Sequence, residues 1–390
     1  MIYKSKMLKF KSHAFRNLLM LLGAVFLFQC STDTKIQEQF SQRVKQIGSQ
    51  KIADRALDVF EAGLKKEGSK WQLTGETTVP GAYEAVVALA DSLLGNNKYD
   101  NQLMQLPDAA LGDSAFAIVK VSVTQLRDEP RHAAQIIDQT IMGRNLNLLR
   151  YERGWYLVQT DYDYVGWVDF TALHRTDAAG VRSWNDAADL IVSGLYPMVY
   201  SKPDDTSEPV ADVVLNARLR PVGRSGKWLK VATPDGREGY ILAENVKNIA
   251  EIPTGLPSEK LRPQLISTAR RMMGVPYLWG GNSSKGNDCS GFTQTVFKTN
   301  GMQLPRDSRQ QALEGIEIKP DENWSNVLPG DLLFFGNGKR VTHVGISLGG
   351  KEFIHQGGRV AVNSLDPASP VFSPYRSKSI MFKKIRRVVE

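Results

Sequence analysis

Cys289 is the only cysteine downstream of residue 30, and two of the five histidines, His343 and His355, follow it. A thiol with two imidazoles supplies a nucleophile, a general base and a group that orients the base. Cys289 stands between Gly280 to Asn287, too rich in glycine and polar residues for helix, and Phe292 to Phe297, which suits one. The pattern predicts Cys289 at a helix start. There the unpaired N–H groups and the helix dipole favour a thiolate, and a nearby imidazolium would hold the thiol below its ordinary value of about 8.5. The backbone N–H of Cys289 is a candidate donor to the oxyanion of a tetrahedral intermediate. His343 lies in Val341-Thr342-His343-Val344-Gly345-Ile346 and His355 in Phe353-Ile354-His355-Gln356, both read as short strands. On adjacent antiparallel strands, His343 would take the Cys289 proton and later deliver one to a leaving amine, while His355 would fix its tautomer. Two histidines and one cysteine without close spacing or an acidic motif do not resemble a zinc site, so no metal or cofactor is expected.

The elements that must hold these residues begin after Ile252-Pro253-Thr254-Gly255-Leu256-Pro257, a linker by its prolines and glycine. A helix is predicted over Lys260–Met273, another from Cys289, and strands near Asp331–Phe335, Val341–Leu348, Lys351–Gln356 and Ser379–Ile385. Residues 257–388 thus read as one α+β domain large enough for its own core. Upstream lies a repeat. Trp155-Tyr156-Leu157-Val158-Gln159-Thr160 followed by Gly166-Trp167-Val168 matches Trp228-Leu229-Lys230-Val231-Ala232-Thr233 followed by Gly239-Tyr240-Ile241, with identical spacing. Each copy predicts strand, polar turn, strand, and the unit resembles the bacterial SH3-like barrel. The copies are placed at 113–175 and 188–250.

Residues 31–112 read as a polar tether to about residue 49, then a short helical region, with helical spacing over 50–66 and again over Tyr83–Leu94. No chemistry attaches to it. The basic start of the chain leads into an apolar run from Asn17 to Phe28 that has the length of a signal peptide and is short for a membrane span. It ends in Leu27-Phe28-Gln29-Cys30, which resembles a lipobox. Residues 1–30 are therefore expected to act as an export leader, with Cys30 lipidated and anchoring the protein to a membrane facing the periplasm or cell surface. A lipidated Cys30 would leave one thiol and no internal disulfide.

The 390 residues are 42% apolar, which fits a globular chain of two to four domains. Of the formal charge of +8, five positive residues fall in the first sixteen. No basic run interleaved with aromatics occurs elsewhere, which gives a nucleic-acid partner little support, and none is expected. Attraction to an anionic polymer stays open, and a monomer is expected.

Pro276-Tyr277-Leu278-Trp279-Gly280-Gly281, Asp288-Cys289-Ser290-Gly291-Phe292, Leu304-Pro305-Arg306-Asp307-Ser308, Pro329-Gly330-Asp331-Leu332-Leu333-Phe334-Phe335 and the two histidine strands resemble the NlpC-type cell-wall cysteine peptidases. That resemblance covers residues 257–388 and implies a circularly permuted papain-like fold. With two barrels in front, the chain is similar to the γ-D-glutamyl-L-diamino acid peptidases (dipeptidyl-peptidase VI). These cut murein stem peptides between γ-D-Glu and the diamino acid when L-Ala is a free N-terminus.

The resemblance implies Cys289 as nucleophile, His343 as base and His355 as third member, with the Tyr277 hydroxyl at the site. It also implies that Asp288, Ser290 and Ser308 bind the L-Ala and D-Glu portion of a murein peptide. In that family the first barrel adds a tyrosine, which Tyr164 matches, and a glutamate, whose position here is Gln135. A neutral amide accepts from an ammonium but lacks the charge that selects for it, unless Glu129, Asp161 or Asp163 substitutes. The same thiol chemistry serves amidases and acyltransferases, and a non-catalytic wall-binding lipoprotein is the alternative from another class.

Overall fold

The computed structural model describes residues 13–252, 254–374 and 381–389, with side chains from residue 32 onward. The leader over residues 1–30 and lipidation of Cys30 fall outside the residues so described. Among the described residues no helix is long and apolar enough to cross a membrane. The chain divides into two compact units, residues 1–106 and 107–390.

In the first unit, helix α1 (His13–Lys51) is followed by β1 (Phe60–Glu67), β2 (Lys70–Thr77), α2 (Pro80–Leu94) and β3 (Tyr99–Gln105). β1 and β2 pair antiparallel and β2 and β3 parallel, with α2 as the crossover that a parallel pair requires. Residues 31–49, expected as a tether, are instead helix. Ile36, Phe40, Val44 and Ile47 fall on one face among polar neighbours and pack on Phe60, Leu64, Trp71 and Leu73. Residues 50–66, expected as helix, turn and enter β1. Phe60 and Leu64 are four apart, which fits a helical stripe and a strand face equally, and the ladder to β2 decides for strand.

The second unit opens with β4 (Phe116–Val119), β5 (Val123–Arg127), β6 (Ile136–Ile141), β7 (Asn145–Glu152), β8 (Trp155–Gln159), β9 (Val165–Asp169) and β10 (Leu173–Thr176). These form one antiparallel sheet in the order β10-β4-β7-β8-β9-β5-β6. Helix α3 (Ala178–Ala187) leads to β11 (Leu190–Val192), β12 (Met198–Tyr200), β13 (Pro209–Asp212), β14 (Arg218–Ser225), β15 (Trp228–Ala232), β16 (Glu238–Leu242) and β17 (Val246–Asn248). Their order is β13-β12-β16-β15-β14-β11-β17. The repeated tryptophans open β8 and β15 and are buried. The repeated glycines sit where another strand crosses. A Cβ on Gly166 would lie 2.9 Å from Leu126 Cβ, and one on Gly239 would lie 2.6 Å from the Tyr200 carbonyl oxygen. The two copies touch: Arg237 donates to the Lys120 carbonyl at 3.0 Å, and Arg218 N–H to the Met142 carbonyl at 3.0 Å.

The remaining elements are α4 (Ser258–Arg271), β18 (Asn282–Ser283), β19 (Gly286–Asn287), α5 (Cys289–Thr299), α6 (Ser308–Gln311), β20 (Ile316–Ile318), β21 (Leu332–Asn337), β22 (Arg340–Gly349), β23 (Glu352–Gln356), β24 (Val360–Ser364) and β25 (Met381–Arg387). A six-stranded antiparallel sheet runs β20-β25-β21-β22-β23-β24. Its alternating residues serve two cores. Leu332 and Phe334 face Leu265, Phe292 and Val296, while Leu333 and Phe335 face Val327 and Phe353 on the other side. β24 and β20 were not anticipated from the sequence, and residues 375–380, where the last strand was expected to begin, lie outside the described residues.

Candidate active site

Cys289 is the first residue of α5, and Asp288 caps the helix by accepting from Gly291 N–H at 2.8 Å. The thiol is 7% exposed and packs with the core beneath the sheet. Its sulfur receives the backbone N–H groups of Ser290 and of Val344, the neighbour of His343. Burial, reinforced by the Asp288 carboxylate, outweighs these donors and the Arg306 charge, and pushes the thiol up to about 12. The expectation of a lowered thiol is thus corrected: the helix terminus is present, but enclosure of the sulfur costs the anion more than the terminus returns.

His343 on β22 and His355 on β23 are both buried. β22 and β23 pair antiparallel, with Gly345 opposite His355. His343 Nε2 lies 2.7 Å from His355 Nδ1, with the rings perpendicular. With Nε2 engaged by His355, Nδ1 is the nitrogen left to serve a thiol.

Tyr277, Cys289, Ser308, Asp307, Gln135 and Tyr164 line one cleft of about 370 Å³. Asp288 and Ser290 also reach it, together with Trp279, which is 61% exposed. Burial, then the nearby thiol and Asp288, push the Tyr277 hydroxyl up to about 12, so it is a proton donor at neutral pH. The first barrel forms the opposite wall. A Cβ on Gly280 would lie 2.6 Å from the Ile136 carbonyl oxygen, and Gln139 accepts from Asn282 N–H at 2.9 Å. The possible acidic substitutes for Gln135 are elsewhere. Glu129 pairs with Arg131 at 2.7 Å, Asp161 faces Arg144 at 3.6 Å, and neither these nor Asp163 is among the lining residues. Besides Asp288, the acid in the cleft is Asp307, whose Oδ1 accepts from the Tyr164 hydroxyl at 3.3 Å and whose Oδ2 takes Arg309 at 3.0 Å. Reading the sequence passed over it because it stands between two residues of a quoted motif and only the fold brings Tyr164 to it.

Arg306 was also missed. Its side chain is 1% exposed and donates through Nε to Asp138 of the first barrel. Its two Nη groups reach Asp288 at 3.1 and 2.7 Å, and Nη1 reaches Ser290 Oγ at 3.1 Å. Burial opposes the guanidinium charge, but the Asp288 and Asp138 carboxylates overcome it and hold Arg306 well above its ordinary value. Asp138 also accepts from the Tyr162 hydroxyl and, at 3.2 Å, from Asn282. Asp288, expected as a substrate contact, is therefore occupied by Arg306, Gly291, Ser290 and, at 3.1 Å, Gly280 N–H. Tyr162 lies in the polar turn between β8 and β9, and its partner is 24 positions upstream.

Comparison with known proteins accords with this geometry. Residues 274–380 match the NlpC/P60 family, 126–173 the bacterial dipeptidyl-peptidase SH3 domain, and 196–247 the bacterial SH3 domain. The chain is 29% identical to dipeptidyl-peptidase 6 of Lysinibacillus sphaericus, over 66% of this chain and 94% of that one. It is 25% identical to a gamma-D-glutamyl-L-lysine dipeptidyl-peptidase of Bacillus cereus, over 57% of this chain and 68% of that one. A crystal structure of an NlpC/P60 family protein from Bacillus cereus superposes with a TM-score of 0.58 at 22% identity, covering 70% of this chain and all of that one, and so shares the fold. The part of the chain that holds Cys289 and both histidines is an NlpC/P60 peptidase domain, and the two barrels before it are bacterial SH3 domains.

Proposed function

We propose that this protein is a cysteine peptidase that hydrolyses the γ-D-Glu to L-diamino acid bond of murein stem peptides and releases L-Ala-γ-D-Glu. The observation that carries the reading is a thiol at a helix start, opening on a cleft that Asp307 and Tyr164 also line, with a histidine pair 2.7 Å apart beginning at the residue before Val344, whose N–H reaches the sulfur. His343 Nδ1 removes the thiol proton as sulfur attacks the γ-carbonyl carbon. Proton transfer in the attack step suits a thiol that burial keeps neutral at rest. The oxyanion accepts from the backbone N–H of Cys289, with the Tyr277 hydroxyl in reach of the same space. His343 returns the proton to the amine as the C–N bond breaks, His355 holds its ring throughout, and water then resolves the thioester by the reverse sequence.

Substrate orientation follows from charge. The free L-Ala ammonium sits against Asp307, with the Tyr164 hydroxyl and the Gln135 amide completing its shell. Ser308 and Ser290 contribute hydroxyls to the D-Glu portion. Asp307, which also takes an Nη of Arg309 at 3.0 Å through Oδ2, offers the ammonium its Oδ1 and so the carboxylate that Gln135 lacks. The relatives named as dipeptidyl-peptidases support this class of substrate. The leader-like residues 17–30 suit export with Cys30 as lipid attachment, which labelling with a fatty acid in wild type and Cys30→Ala tests.

Incubation with L-Ala-γ-D-Glu-L-Lys and its diaminopimelate counterpart, followed by mass spectrometry, should give L-Ala-γ-D-Glu and the free diamino residue. Cys289→Ala should abolish this with the fold retained. Product release by that variant, or transfer of the acyl group to an added amine in place of hydrolysis, would overturn the reading.

A further inference from the structure

We propose that Arg306 is a positioning residue through which the first barrel sets the nucleophile: Asp138 clamps it from the barrel side, and it in turn holds Asp288, the cap of the helix that begins with Cys289. The proposal rests on Cys289 being the nucleophile of the peptidase.

The geometry is a continuous bridge between two domains. Tyr162 and Asn282 hold Asp138, Asp138 takes Arg306 Nε, and the two Nη groups of Arg306 take both oxygens of Asp288. Asp288 then bonds Ser290 Oγ and Gly291 N–H within the first turn of α5. Arg306 and Asp138 are almost completely enclosed, at 1% and 0% side-chain exposure. A buried guanidinium between two carboxylates gives little net stability, because desolvating three charges cancels most of their attraction. What such a bridge does well is fix orientation, since a planar fork bonds a carboxylate in one geometry. Asp138 does not line the cleft; it reaches the first turn of α5 through Arg306, and the middle of that helix through Asn282 and Gln294.

The bridge also carries charge. Burial raises the Asp138 carboxyl, the Arg306 guanidinium opposes that rise, and Asp288 and Arg306 act on the sulfur in opposite senses. Another titratable group that acts on Cys289 is Tyr277, from the segment before β18, and β22 brings His343 next to Val344, whose N–H reaches the sulfur. Removing the Asp138 charge releases the Arg306 field toward the sulfur and favours thiolate. Removing the Arg306 charge disfavours it.

The test uses the full chain carrying Asp138→Asn, Arg306→Lys or Arg306→Gln. Alkylation of Cys289 by iodoacetamide at pH 8 is followed by mass spectrometry of its peptide, so that Cys30 does not contribute. Below the thiol midpoint the rate scales with the thiolate fraction. Asp138→Asn should react about threefold faster, Arg306→Gln about threefold slower, and Arg306→Lys within about twofold of wild type. Against the dipeptide-releasing substrate, Asp138→Asn should lower kcat by about tenfold with KM nearly unchanged. If the bridge were only structural, loosening would speed alkylation in all three variants; that result, or rates unmoved in Asp138→Asn and Arg306→Gln alike, overturns the proposal. Should Arg306→Gln fail to fold, Asp138→Asn and Tyr162→Phe still carry the test. Alkylation needs no substrate, so failure of the murein-peptide assay alone would count against the proposed function and leave this inference standing.

Discussion

His343 Nε2 and His355 Nδ1 are 2.7 Å apart across the β22–β23 ladder, with rings perpendicular. One of the two nitrogens carries the shared proton. The arrangement in which His343 donates leaves its Nδ1 lone pair for the thiol. His355→Asn offers a carbonyl oxygen in place of Nδ1 and should lower kcat about tenfold, whereas His355→Ala should lower it about 100-fold. Steady-state rates on L-Ala-γ-D-Glu-L-Lys check the order, and equal losses would mean the ring is only packing.

Stability should depend on pH through Cys289. An unfolded thiol titrates near about 8.5, while burial pushes the folded one up to about 12. Between those values the folded chain keeps a proton that the unfolded chain has released. Stability is therefore whole below the lower value and falls as pH rises through the window. Urea unfolding of wild type and Cys289→Ala at pH 7 and pH 10 should show the wild type losing more, by roughly 1–2 kcal/mol. A constant difference between the two proteins would contradict the enclosed neutral thiol.

Selection of a free amine should rest on Asp307. Asp307→Asn should lower kcat/KM for the free-amine peptide about tenfold and leave the N-acetylated peptide nearly unchanged. Gln135→Glu adds a negative charge to the first-barrel side of the same cleft and should widen the preference by a similar factor. The ratio of the two kcat/KM values is the measurement. No change in either variant would mean that the amine is held elsewhere.

Gly280 has φ +71° and faces the Ile136 carbonyl. Gly280→Ala combines left-handed backbone strain with a Cβ 2.6 Å from that oxygen, at a cost of about 2–3 kcal/mol. A lower melting temperature should accompany lost activity, because the backbone must move at the seam beside Trp279 and Tyr277. An unchanged melt would show the seam to be loose.

Local pattern revealed the parts of the site that are local. A glycine-rich loop before an apolar run announced the helix of Cys289, β-branched residues announced the strands of both histidines, and matched offsets announced the two barrels. What stayed hidden depends on partners far apart in the chain. Arg306 pairs with a residue 168 positions upstream, and Tyr164 meets Asp307 across 143. The thiol was misjudged for a related reason: its position on the helix can be read from neighbours, but its enclosure is a property of the assembled core. In the first unit, Phe60 and Leu64 satisfy both periodicities, so no window of sequence could choose between them.

The matched turns of the two barrels differ where it counts. Shifting by the repeat, Tyr162 and Tyr164 become Asp235 and Arg237. The tyrosines of the first copy reach Asp138 and Asp307, whereas Arg237 of the second binds Asp235 and the first barrel's own backbone at Lys120. One scaffold used twice has thus divided its labour, one copy lining the cleft of Cys289 and its sibling serving as a brace. Put in the first copy's place, the second would bring Asp235 and Arg237 where Tyr162 and Tyr164 now meet Asp138 and Asp307.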